Sequence, residues 1–138
     1  MVATFGLADA VCSISATAIV FGTYDPFSPA PHDTAGNIVY RCGSQDHDIT
    51  ISLDRGSAPS FSQRRMLRGT EPLFYNLYLD AARTIIWGDG TGGTLAYFLH
   101  NPQANNQDLR VPIYGRIPAG QDVGVGDYAN TIVITINF

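Results

Sequence analysis

The sequence predicts an all-β sandwich, and three observations carry that prediction. The 138 residues contain no Lys and a single Glu, Glu71, so two of the best helix formers are almost missing. Gly, Thr, Tyr, Phe, Val and Ile carry the composition instead, the mixture of strands joined by tight turns. Finally, several short segments alternate apolar and polar residues with a period of two, as half-buried antiparallel strands do. Seven or eight such strands with turn signals between them, and no helix of ordinary length, fit a sandwich of one domain.

The first candidate strand is V-C-S-I-S-A-T-A-I-V-F, Val11 to Phe21, which loses strict alternation near its end. Gly22 to Gly36 carries Pro26, Pro29 and Pro31 and is expected to be a loop. Asn37 to Cys42 places Ile38, Tyr40 and Cys42 on one face. Asp48 to Leu53 turns Ile49, Ile51 and Leu53 inward and Asp48, Thr50 and Ser52 outward. After a polar turn region, Arg64 to Leu67 forms a short strand. Leu73 to Asp80 sets Leu73, Tyr75, Leu77 and Leu79 against Phe74, Asn76, Tyr78 and Asp80. Thr84 to Trp87 is short and apolar, and Thr94 to Leu99 is a further strand. Leu109 to Ile117 contains Pro112, which cannot donate to a ladder and so marks an edge or bulge. Thr131 to Phe138 is the clearest strand, with Ile132, Ile134, Ile136 and Phe138 on its apolar face.

Composition also excludes functions. The apolar fraction is 45% and the charged fraction 14%, so the chain is not intrinsically disordered. No apolar run reaches the ~18 residues of a membrane span. A formal net charge of −4 with no basic block argues against binding nucleic acid. Met1 to Ala10 lacks the basic start and long apolar core of a secretory signal.

Little in the sequence points to catalysis. G-D-G-T-G-G, Gly88 to Gly93, has no following Lys and opens no helix, so it reads as a hairpin turn with residues at positive φ rather than a phosphate cradle. His32, His47 and His100 have no metal-ligand spacing, and His47 between Asp46 and Asp48 reads as a solvated turn. There is no nucleophile elbow, and nothing selects a carboxylate pair from Asp80, Asp89 and the other acids. The expectation is no enzyme, no cofactor and no metal. Arg64, Arg65 and Arg68 form the one basic cluster, read as solvated surface with anionic-glycan or carboxylate contact as the alternative. Cys12 and Cys42 are too few for a zinc site. A disulfide between them would close a loop worth about 3–4 kcal/mol, whereas two free buried thiols are the other reading.

The chain's two ends are more informative. An apolar terminal strand must be paired or covered, because an open hydrophobic edge invites association. Ala3, Phe5 and Leu7 alternate with Thr4, Gly6 and Ala8 near the other end. That short strand either folds back in its own molecule or adds to the edge of a neighbour.

Several blocks then resemble a known family. C-S-I-S-A-T-A-I-V-F-G-T-Y-D-P (Cys12 to Pro26) and G-N-I-V-Y-R-C (Gly36 to Cys42) come first. The stretch Arg65 to Gly90 follows, with R-M-L, L-F-Y-N-L-Y-L-D and W-G-D-G. Y-G-R-I-P-A-G-Q (Tyr114 to Gln121) and G-D-Y-A-N-T-I-V-I-T-I (Gly126 to Ile136) complete the set. In this order, and over nearly the whole chain after Val11, they resemble spore coat protein U domains, a family that includes subunits of archaic (Csu-type) chaperone–usher pili. The resemblance implies an immunoglobulin-like sandwich lacking its last strand, with a Cys12–Cys42 disulfide. It implies residues 1–10 as an N-terminal extension whose Ala3, Phe5 and Leu7 form a donor strand. It implies residues 11–138 as the sandwich, with an acceptor groove at Ile14, Ala16, Ile132, Ile134, Ile136 and Phe138. The implied partners are neighbouring subunits, a periplasmic chaperone and an outer-membrane usher, on a route to the cell surface, a fimbrium or a coat. The departure is the eleven residues before Cys12, fewer than polymerising members carry, which leaves shaft and tip positions both open. The function implied is a structural fibre or coat subunit assembled by donor-strand exchange, supporting adhesion and biofilm formation. The alternative is a tip adhesin or carbohydrate-binding sandwich that acts through the loops Tyr24 to Pro31 and Asn101 to Gln107.

Overall fold

The computed structural model describes residues 2–3 (backbone), 12–43, 48–100 and 106–138. Ten strands follow one another along the described chain. β1 is Val2–Ala3, β2 Cys12–Ala16, β3 His32–Cys42, β4 Ile49–Leu53 and β5 Arg65–Arg68. β6 is Glu71–Phe74, β7 Asn76–Tyr78, β8 Tyr97–Leu99, β9 Leu109–Ile117 and β10 Val133–Asn137. A single 3₁₀ turn, Phe61–Gln63, is the helical content of the described residues. One sheet has the order β1-β10-β4-β8, the second β2-β3-β9-β7, and β5-β6 is a separate hairpin. The two larger sheets share one core: Ile49, Ile51, Leu53 and Ile134 from the first, Ile14, Ile38, Tyr40, Val111 and Ile113 from the second. Each is 3% exposed or less, so each contributes roughly 1.5–3 kcal/mol of burial.

The inward faces read from alternation are the buried ones in β3, β4 and β10. Cys12 stands directly opposite Cys42 in the β2–β3 ladder, and the two form a disulfide with Cα atoms 4.0 Å apart. Pro112 lies in β9, a strand flanked by β3 and β7. β7 meets β9 only at Tyr114 to Arg116, so Pro112 sits where that side carries no β7 residue, consistent with its missing N–H. Gly90, Gly92 and Gly93 have the expected positive φ, but the G-D-G-T-G-G turn is not a hairpin, because the flanking Trp87 and Leu95 bridge in parallel.

Other expectations are corrected. The strand expected over Val11 to Phe21 leaves the ladder after Ala16, because Ile19 and Phe21 turn to pack across the sheet end. Phe21 lies over Gly115, where a Cβ would come within 2.7 Å of its ring, and meets Tyr75 edge-on at 5.8 Å. The loop expected to run to Gly36 ends at Pro31. His32 to Gly36 pair with β9 despite lacking an apolar face, since the nine-residue partner supplies the ladder. Leu73 to Asp80 is two strands, broken at Tyr75 where the chain passes from the hairpin to the second sheet. Thr84 to Trp87 is no regular strand; it makes isolated bridges, Tyr78 to Ile86 and Trp87 to Leu95. The last strand forms ladder only over Val133–Asn137.

The largest correction concerns the Arg64, Arg65 and Arg68 cluster. Arg64 is not surface: it is 0% exposed. Its Nε (3.1 Å) and Nη2 (2.6 Å) donate to the Asp54 carbonyl, and Nη2 also donates to the Trp87 carbonyl (2.7 Å). Nη1 donates to Asn76 Oδ1 at 3.0 Å, and the guanidinium lies 5.4 Å over the Phe61 ring. Asn76, expected to face outward, is buried because it serves this guanidinium and donates to the Phe61 carbonyl at 2.8 Å. Burial lowers the Arg64 pKa to about 10, so it stays charged at neutral pH. Replacing Arg64 with Met should strand these acceptors and destabilise the fold by about 3–5 kcal/mol in urea unfolding; a loss below about 1 kcal/mol would contradict the role given to it.

Candidate functional site

The sandwich has two seams where its sheets approach each other, and they are built differently. Along β7 and β4 the seam is laced by the segment that follows β7. Leu79 N donates to the Ile85 carbonyl (3.0 Å), Trp87 N to Leu77 (2.9 Å), Leu53 N to Gly88 (3.2 Å) and Gly88 N to Leu95 (2.8 Å). Trp87 is wholly buried, and its Nε1 donates to the Ile51 carbonyl at 2.9 Å. These bonds tie both sheets through one irregular stretch of backbone.

The opposite seam joins β2, the outer strand of its sheet, to β10. On the far side of β10 from β4 lies β1, whose described part is two residues long. β1 runs parallel to β10, Val2 opposite Val133 and Ala3 opposite Ile134, and also neighbours β2. Of the predicted groove residues, Ile14, Ile132, Ile134 and Ile136 are buried and Ala16 is half-buried. The structure brings Ile14, Ala16, Ile132, Ile134 and Ile136 into one apolar cluster. Phe138 departs from them: it lies beyond the end of β10 and is 43% exposed. Of the predicted donor residues, Ala3 lies in β1, whereas Phe5 and Leu7 fall outside the described residues.

Below β10 the seam opens into a cleft. One cavity of 220 Å³ is lined by residues that include Ile19, Phe21, Met66, Tyr75, Asn130 and Ile132. A second, of 680 Å³, shares Ile19, Phe21, Met66 and Tyr128 and extends beneath Val123 to Asp127. Met66 and Tyr128 went unnoticed in the sequence, because neither lies in a cleanly alternating strand. Tyr75 was legible as an inward residue, but not as a cleft wall.

The rim of the cleft is polar. Glu71 accepts from Gly124 N (2.5 Å) and Arg68 Nη2 (2.7 Å). Arg68 lies 5.7 Å over the Tyr128 ring, and Tyr128 Oη donates to the Gly124 carbonyl at 2.9 Å. Gly126 has φ +148°, and a Cβ there would come within 2.3 Å of Arg68 Cδ, so this turn is closed to other residues. The Gly124 amide first, then Arg68 and Tyr128, hold the Glu71 carboxyl down at about 2.

The remaining candidates have local tasks. Asp80 accepts from Thr84 N and Ile85 N, and Asp89 from Thr91 N, each within its own turn. The bonds from Thr84 and Thr91 keep both carboxyls below their ordinary value. His32 Nε2 contacts the Phe21 carbonyl, and His100 pairs with Asp48 at 2.6 Å. His47 lies outside the described residues. Among the described residues no group of three His, Cys, Asp or Glu side chains stands close enough to hold a metal, and no helix is long and apolar enough to cross a membrane.

A spore coat protein U domain model matches residues 2–135, nearly the whole chain. The chain belongs to the spore coat protein U domain family. Protein U of Myxococcus xanthus is 34% identical over 145 residues, covering 92% of this chain and 77% of that protein. Among solved structures, a similar one is the chaperone–tip adhesion subunit pre-assembly complex from archaic chaperone-usher Csu pili of Acinetobacter baumannii. It matches with a TM-score of 0.65 at 21% identity, over 92% of this chain and 39% of the chain it matches. At that identity the likeness speaks for the fold, which is the immunoglobulin-like sandwich expected of this spore coat protein U domain.

The rim gives the domain a calculable acid response. Because the folded pKa of Glu71 lies below its ordinary 4.5, its contribution is present above pH 4.5 and lost as pH falls toward 2. Glu71→Gln should therefore flatten the fall in Tm between pH 5 and about 2. Parallel melting profiles for the two proteins would show that the rim does not respond this way.

Proposed function

We propose that this domain is a structural subunit of a secreted surface fibre or coat, assembled by donor-strand exchange at the β2–β10 seam. The observation that carries the reading is the difference between the seams. One is laced by backbone bonds and a buried Trp, while the other is met at Val2 and Ala3 by a strand parallel to β10, beside an apolar cleft. A donor strand laid along β10 would keep Ile14, Ile132, Ile134 and Ile136 covered while extending the ladder along β10. Apolar burial and backbone pairing would then be lost only together, so the joint would open slowly.

Membership of the spore coat protein U domain family and the fold shared with the Csu subunit support the same reading. The partners proposed are neighbouring subunits of the same kind, a periplasmic chaperone that covers the seam first, and an outer-membrane usher. The route runs through the periplasm to the cell surface, where the fibre or coat would support adhesion and biofilm formation. Ala3, Phe5 and Leu7 are the proposed donor positions. The proposed acceptor positions are Ile14, Ala16, Ile132, Ile134 and Ile136, with Phe138 at the mouth. The reading needs no enzyme chemistry.

A second reading, a tip adhesin acting through its loops, draws on Phe27 and Val125, which are 93% and 95% exposed. Tyr24 does not join them as a free ring, since its hydroxyl donates to the Pro118 carbonyl at 2.7 Å.

The deciding experiment is electrophoresis in SDS without boiling, on protein exported to an oxidising periplasm with its cognate chaperone. Donor-strand assembly predicts a ladder of multimers that collapses to one band on boiling; a chaperone-free monomer band would turn attention to the loops. Ile134→Asp should abolish the ladder by placing a charge in the seam, and Phe5→Asp should leave a chain that accepts a strand but does not donate one. Normal fibres from Ile134→Asp would refute the groove assignment.

A further inference from the structure

We infer that β1 is the chain's own cap, bound in cis along β10 in the monomer, and that it must leave before the seam accepts a strand. The inference rests on the strand-exchange reading above and adds its regulation. β1 pairs with β10 in a defined register, Val2 with Val133 and Ala3 with Ile134. It also neighbours β2, so these two residues, at the edge of their own sheet, stand beside the outer strand of the other.

Two features make this a cap that holds but yields. The first is direction: β1 is parallel to β10, whereas every other described ladder of the two sheets is antiparallel. Parallel pairs are slightly less stable per residue, so an antiparallel strand along the same edge has the advantage. The second is tethering. Cys12 is held to Cys42 by the disulfide, so the cap hangs from a fixed point only nine residues beyond Ala3. A linker that short keeps the local concentration of the cap in the millimolar range, which offsets the weaker parallel pairing.

The consequence is a coupling. While β1 lies on β10, neither the β10 edge at Val133 and Ile134 nor Val2 and Ala3 of the donor segment are free. Displacing β1 frees both at once, as in domain swapping, where an element leaves its own fold to complete a neighbour's. Isolated monomers would therefore be doubly silent, and each strand accepted would arm the next donor.

The test uses full-length monomer and a fluorescent peptide copying residues 1–10, with capture followed by anisotropy. Three proteins are compared: the natural chain, Val2→Pro/Ala3→Pro, whose prolines lack the amides that pair with β10, and the oxidised Val2→Cys/Val133→Cys chain. Expected are at least tenfold faster capture by the proline variant than by the natural chain, a disulfide between the two introduced cysteines within single chains by mass spectrometry, and no capture by the linked monomer. Equal capture rates for the natural and proline chains would overturn the cap while leaving the seam as an acceptor. So would a link found only between chains. If the proline variant captures no peptide, the strand-exchange reading fails and the cap falls with it. Should the double-cysteine variant not fold, the rate comparison alone decides.

Discussion

Arg64 is the constraint from which the rest of the sandwich hangs. A guanidinium removed from water carries a desolvation cost of several kcal/mol, and among the described residues no carboxylate bonds to it to offset that cost. The offset comes from the Asp54 and Trp87 carbonyls and the Asn76 amide, with Phe61 beneath the cation. These acceptors belong to the end of β4, to β7, and to the irregular stretch between β7 and β8. Moving any one of them would strand a buried charge. The segments are therefore held as a unit, and Trp87 is fixed in the gap between the sheets.

That unit explains why the two seams differ. At the laced seam, separating the sheets means breaking backbone bonds and exposing Trp87 and Arg64 together. At the β2–β10 seam the disulfide fixes β2 to β3, and β4 fixes β10 from the other side, so both walls are rigid. At Val2 and Ala3, the strand between them runs parallel to β10. Under the proposed strand exchange, such walls would not have to rebuild when the strand changes.

The unusual charge inventory follows from the same economy of motion. With no Lys, every basic side chain is a planar fork suited to fixed acceptors. Arg116 grips Asp33 with two bonds, at 2.7 and 3.0 Å, and holds its carboxyl below the ordinary value. Arg83, at φ 58°, donates to the Gly115 and Thr34 carbonyls and lies 5.5 Å over the Tyr114 ring. Arg41 bonds both Asp108 and the Asn106 carbonyl. Several of these forks join segments far apart in sequence, and in a fold with almost no helix they replace the local contacts a helix would make.

Period-two alternation determined the all-β class, the inward faces of β3, β4 and β10, and the placing of Ile132, Ile134 and Ile136 together, because a strand's side-chain direction depends only on its own residues. The blocks from Cys12 to Ile136 determined the family in the same local way. Tertiary structure alone decided what depends on distant partners. Asn76 alternates outward yet is buried, because Arg64 needs its carbonyl. Arg64 looks like surface beside Arg65 and Arg68, yet three remote acceptors draw it inside. His32 to Gly36 look like loop, yet β9 makes them strand, and Ile19 and Phe21 leave their strand because Gly36 and Gly115 offer room across the sheet. Met66 and Tyr128 became cleft walls only once the hairpin and the last loop met. Pairing, cation burial and cavity shape are properties of surfaces brought together, and no single stretch of sequence contains them.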